Sequence, residues 1–286
     1  MTQWAPFVWF AGFVLTGFLV LARLSQRVVG DPPRRAPGGR PDTRTEATAA
    51  RDGPEATGNG PAGAPETTGT GNTGATGSDH NAPDPAAMSP AALVANVALT
   101  QGLFGVILAA AAWYFRIPGD ALGLGGGRVT GAAALAVGAG FGVALWGANE
   151  LATGLVDAVS PGYDERLRSL LAPADSAGWA LLLGVALPVV AVVEEFLFRA
   201  VAIGVPAAAF SASPWALAVV SSAAFALGHG AQGRVGIAVT GALGSALAAG
   251  FVLTGSLLVV VVAHYLVNAL EFGLHEGVGL PDPVWG

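Results

Sequence analysis

Seven apolar stretches, at about residues 4–22, 91–113, 131–156, 178–205, 214–230, 235–253 and 256–274, leave this chain few folds to choose from. A helix needs about 20 mainly apolar residues to cross the hydrocarbon core of a bilayer. In that medium every backbone N–H and C=O must be paired within the protein, which a helix does alone and an open sheet cannot. The expected fold class is therefore all-α, a polytopic transmembrane helix bundle of about seven spans. Composition points the same way, with 53% hydrophobic and 11% charged residues and a mean hydropathy of +0.59, values far from those of a soluble domain. The 42 glycines suit helices that pack through small residues, because lipid gives them no hydrophobic drive to associate.

The same composition excludes several chemistries. Without cysteine there is no disulfide, no thiolate nucleophile and no Cys-ligated zinc. The net charge is −6, every cation is an arginine, and the acids lie mostly outside the apolar stretches. No basic footprint for nucleic acid exists. A lipid bilayer is the expected partner.

Residues 4–21 have no positive charge before them and Arg23 and Arg27 just after. A cleaved signal has the reverse charge order, so the stretch reads as an uncleaved anchor with its N-terminus outside. Residues 25–88 turn to Gly, Pro, Thr, Ala and charge, with almost no large apolar side chain, and such a segment reads as a disordered linker. His80 falls within it as a solvated residue. Ten arginines, among them Arg166, Arg168 and Arg234, then fall on the cytoplasmic side against Arg116 and Arg128 outside, which sets the linker in the cytoplasm of a protein of the cell membrane. The expected organisation is an anchor at 1–24, the linker at 25–88, an intramembrane domain at 89–276 and a tail at 277–286. Gly123 to Arg128 lacks both the spacing and the preceding strand of a phosphate loop, and reads as a flexible lead-in to the third span. Asp157 to Asp175 reads as a solvated connection.

Against this apolar background a few polar residues stand out. Glu194-Glu195-Phe196-Leu197-Phe198-Arg199 puts three ionisable groups in the fourth stretch. Each costs about 2.5–3.5 kcal/mol on insertion scales, so such groups face a protein interior and mark function. Glu195 and Arg199 are four apart and share a helix face, so they read as a charge-compensated pair, while Glu194 points about 100° away and is free to move a proton. Phe225 to His229 ends the fifth stretch, and His264 with Asn268 share a face of the last, continued by Glu271 and His275. Asn149 and Glu150 either face this site or mark the end of their helix. Pro188 predicts a kink before the glutamates. A carboxylate, two imidazoles and an amide converging on one cavity can activate water and stabilise an oxyanion. His275-Glu276 lacks the second histidine of a zincin site.

Glu-Glu-x-x-x-Arg, Phe-x-x-x-His and His-x-x-x-Asn, in this order on successive late helices, resemble the CPBP family. That family comprises the type II CAAX prenyl endopeptidases and bacteriocin-processing or self-immunity membrane proteins. The resemblance runs from about Ala91 to Phe272. It implies that Glu194 and His229 hold and activate the attacking water, that His264 and Asn268 stabilise the oxyanion, and that Glu195, Arg199 and Phe225 brace the site. The substrate implied is a membrane protein or lipidated peptide, cut near its C-terminus. The family is often labelled metalloprotease, and a divalent metal such as zinc would fall to Glu194, His229 and His264. A metal-free, glutamate-based route fits the same residues. The competing reading is a non-catalytic scaffold or immunity-type binding protein that keeps the pocket.

Overall fold

The computed structural model describes residues 1–30, 89–125, 127–157, 168 and 171–279, and among these every regular element is helical. The linker expected at 25–88, with His80, lies outside the described residues beyond residue 30, as does the tail from residue 280. Residues 25–30 continue the first helix past the boundary expected at residue 24.

The chain forms α1 (Trp4–Gly30), α2 (Pro90–Tyr114), α3 (Gly131–Asp157), α4 (Ser176–Phe210), α5 (Pro214–Gly228), α6 (Gly233–Thr254) and α7 (Leu257–Val278). Six of these are long and apolar enough to cross a membrane. The fifth stretch forms only the 15-residue α5, which rises about 22 Å against a hydrocarbon core of about 30 Å. Starts are written in the sequence. The Ser89 and Ser213 hydroxyls accept from the N–H of Ala92 and Ala216, each followed by proline at the first helical position, and Asp175 caps Gly178 at 2.7 Å. These are ordinary N-cap residues, and proline there forfeits no hydrogen bond.

Polarity is distributed inside out. Trp9, Phe13 and Trp113 are about four-fifths exposed on the outer faces, while Glu195 and Arg199 are fully buried. That is the arrangement a bilayer requires of ionisable residues.

The expected kink at Pro188 takes the form of a π segment. α4 runs on without a break but contains π-helical turns at Leu182–Ala186 and Phe196–Gly204. Each lies just before a proline, Pro188 and Pro206, whose missing N–H frees a carbonyl one turn earlier and lets the ladder slip by one residue. Within the second π segment the Phe198 carbonyl takes a hydrogen bond from the Ser221 hydroxyl of α5.

Glycines set how closely α3 approaches α7. A Cβ on Gly138 would lie 2.7 Å from the Val259 carbonyl oxygen, and one on Gly142 would lie 2.9 Å from that of Ala263. The pair forms a small-xxx-small seam of the kind that joins membrane helices. Ala263 precedes His264, so this seam fixes the height and rotation of a candidate site residue.

Two expectations change. Gly123 and Arg128, at the two ends of the expected flexible lead-in, are packed: Gly123 O accepts from Leu257 N at 3.0 Å, and Arg128 N donates to Thr254 O at 2.7 Å. They mate with the α6–α7 turn, where Gly255 sits at φ +65° and a Cβ on Gly127 would lie 2.5 Å from the Gly255 carbonyl oxygen. Backbone groups here bond to each other in place of water. The connection before α4 lies mostly outside the described residues, but at Arg168 it is not a free solvated chain, since Arg168 contacts Glu271 at 2.8 Å and Glu276 at 2.9 Å.

Candidate active site

Consecutive glutamates on α4 face different neighbours. The Glu195 Oε1 atom lies 3.0 Å from Arg199 Nη1 one turn on, the ion pair expected from their spacing. It also lies 2.7 Å from His264 Nδ1 on α7. Burial leaves both charged groups without water, so mutual compensation is the condition for their being there. Arg199 is further held by Nη2 donating to the Gly244 carbonyl of α6 at 2.9 Å, and its guanidinium lies 4.7 Å from the centre of the Phe225 ring.

Phe225 does more than fill space. Its ring packs edge-on against Phe198 at 5.1 Å, tilted against His229 at 4.5 Å and edge-on to His264 at 6.2 Å. The one ring thus meets a cation and both imidazoles. Gly244 leaves the room for this, because a Cβ there would lie 2.8 Å from Phe225 Cδ1.

Glu194 is nearly buried but lines a cavity of about 310 Å³ together with His229, His264 and Asn268. The four residues named from the sequence as chemical are therefore brought together on one cavity, from α4, the end of α5 and α7. His229 caps α5, and its Nδ1 lies 2.9 Å from the Phe225 carbonyl oxygen. A carbonyl can only accept, so Nδ1 carries the hydrogen there, leaving Nε2 to accept. The same reasoning applies to His264. An ionised Glu195 only accepts, so the His264 Nδ1–H is committed to it and Nε2 is the nitrogen left for chemistry. That Nε2 lies 3.9 Å from Glu194 Oε2, too far for a direct hydrogen bond and a separation that a water bridges.

Two features escaped the sequence reading. Gln101 of α2 donates from Nε2 to Glu194 Oε1 at 3.3 Å. Its signal was a lone amide inside an apolar span, without a motif around it. The second is the link between Glu195 and His264, 69 residues apart, which no local pattern announces.

Glu271 lines the same cavity, and His275 places Nε2 3.0 Å from Glu150 Oε1. Across the π segment Phe272–Val278 the two side chains stay together, their ligand atoms within 4.8 Å of each other, although only Glu271 lines the cavity. Asn149 lines the cavity, and Glu150 does not. Among the described residues, the His/Asp/Glu group whose ligand atoms all lie within 4.8 Å of one another is Glu150, Glu271 and His275. Glu194, His229 and His264 do not converge so closely, although each imidazole, held through Nδ1, keeps Nε2 open as a metal-binding histidine does. As placed, that trio does not fit the tight ligand set that a metal requires.

The helices and their polar interior define an integral membrane protein with a polar cavity set among apolar spans. Residues 176–270 match the family described as type II CAAX prenyl endopeptidase Rce1-like. The matched segment contains all three motifs on which the resemblance rests, from Glu194 to Asn268. No match was found among curated proteins or among solved structures.

Proposed function

We propose that the chain is an intramembrane endopeptidase that hydrolyses a peptide bond of a membrane-associated, C-terminally prenylated protein. The observation that carries this reading is the cavity itself, where Glu194, His229, His264 and Asn268 meet between apolar helices. Water bound between Glu194 and the free Nε2 of His229 gives a proton to Glu194 as its oxygen bonds to the scissile carbonyl carbon. The carbonyl π electrons move onto oxygen, and the Asn268 amide donates to that oxyanion, joined by His264 Nε2 when the imidazole has taken up a proton from solvent before the attack. Collapse of the intermediate breaks the C–N bond, and the Glu194 carboxyl returns its proton to the departing amine. Glu195 and Arg199 hold His264 and Phe225 in place.

The catalytic domain in this reading is 89–276, set in the cell membrane with the N-terminus outside and the segment after α1 cytoplasmic. Its apolar surroundings suit a substrate that arrives within the bilayer.

Purified protein offered matched prenylated and unprenylated peptides tests the proposal. Wild type is expected to cleave the prenylated peptide, Glu194→Gln to cleave neither, and chelator to leave the rate unchanged. Cleavage that survives Glu194→Gln would overturn the mechanism. A cellular effect that persists in Glu194→Gln at equal protein level, without any cleavage, would favour the scaffold.

A further inference from the structure

The two oxygens of Glu194 are not equivalent. Oε1 accepts from Gln101 Nε2 at 3.3 Å, and Oε2 is the one that faces His264. We infer that Gln101 is a positioning residue that engages Oε1 and so selects Oε2 as the oxygen that exchanges a proton with water. The inference rests on the hydrolase reading above and adds to it a residue outside the matched segment 176–270.

Three observations support it. First, Gln101 occupies a costly place. It sits within an apolar span, and its own Oε1 is buried without a hydrogen-bond partner. An unsatisfied buried acceptor is a burden that leucine or methionine of similar size would not carry. Second, the contact joins separate helices, with α2 reaching across to α4. Val94 and Val97, on the same face of α2, line the cavity that Glu194 faces. Third, the approach that allows the contact is built in. A Cβ on Gly105, one turn beyond Gln101, would lie 2.5 Å from Cγ2 of Val193, the residue before Glu194. Glycine there lets the two backbones close to the reach of one amide.

A carboxylate on a flexible side chain can present either oxygen, and general-base catalysis needs one held within reach of the proton it takes. A donor on Oε1 removes that freedom without touching the substrate. Gln101 should therefore act on turnover and leave substrate binding alone.

The test is Gln101→Met, similar in size and lacking the donor, assayed on the cleaved prenylated peptide well below the melting temperature of each variant. The expected result is a kcat lower by about 10- to 100-fold, the worth of one hydrogen bond to a charged group, with KM within about twofold. Gln101→Glu, which keeps the shape and adds a like charge, should lose at least as much. An unchanged kcat in Gln101→Met, or a loss confined to KM, would overturn the inference while leaving the protease reading intact. A second measurement needs no substrate. Labelling of Glu194 by a hydrophobic carbodiimide, followed by mass spectrometry, should be several-fold faster in Gln101→Met, because Oε1 is then unengaged. Equal labelling in both proteins overturns the inference even if the wild type cleaves nothing.

Discussion

Glu194 and Glu195 are adjacent in sequence, yet their substitution should have separable consequences. Glu195 is enclosed by Arg199 and His264, so its charge is matched by its neighbours. Arg199→Ala would strand that carboxylate in a dry interior, and removal of one partner of a buried pair costs about 3–5 kcal/mol. A fall in the midpoint of thermal unfolding in detergent is therefore expected for Arg199→Ala. Glu194→Gln keeps the size of the side chain at the cavity wall and should lower that midpoint little while abolishing cleavage. Equal destabilisation of the two variants would refute this division of labour. The Glu195–Arg199 pair was legible because four residues make nearly one helical turn. Gln101 and the Glu195–His264 contact were not, since each depends on which helices become neighbours, and sequence spacing within a helix is silent about that.

At the scale of elements, the placement of His264 depends on a seam of glycines that carry no chemistry. Gly142→Val would drive a side chain into the Ala263 carbonyl, which is backbone and cannot rotate aside. Overpacking of this kind costs about 1–3 kcal/mol. The displacement falls on α7, so cleavage should drop further than stability does. Gly140→Ala on the same helix is the control. A Cβ there meets nothing within 4 Å, and replacing a helical glycine by alanine contributes up to about 1 kcal/mol in a favourable case. Thermal unfolding of the two variants should move in opposite directions. The helices themselves were readable, because apolar length is a local property. The π segments were readable only as a kink at Pro188. Hydrophobicity does not record how a freed carbonyl is satisfied, nor that His275, within the third such segment, meets Glu150 of α3.

Across the whole molecule, the first helix bears on the site more than an anchor would. Phe7 is fully buried in the cluster that holds Ile203, Val205 and Val260 of α4 and α7. Val14 joins Leu108, Phe198 and Phe225 in a second cluster, and the Phe18 ring lies 6.3 Å from that of Phe198. Through Phe198 this packing reaches Phe225, and through Phe225 it reaches Arg199 and both histidines. A mere tether could be altered without effect on the bundle. Phe7→Ala should instead cost about 3–5 kcal/mol, as truncation of a core phenylalanine does, and should lower the unfolding midpoint in detergent. Trp9→Ala, on the outward face of the same helix, should change stability by about 0.5 kcal/mol or less. Phe18→Ala separates packing from chemistry. It removes the ring that backs Phe198, so loss of turnover beyond its loss of stability would mean that α1 helps set the site, and losses in proportion would mean that it only completes the core.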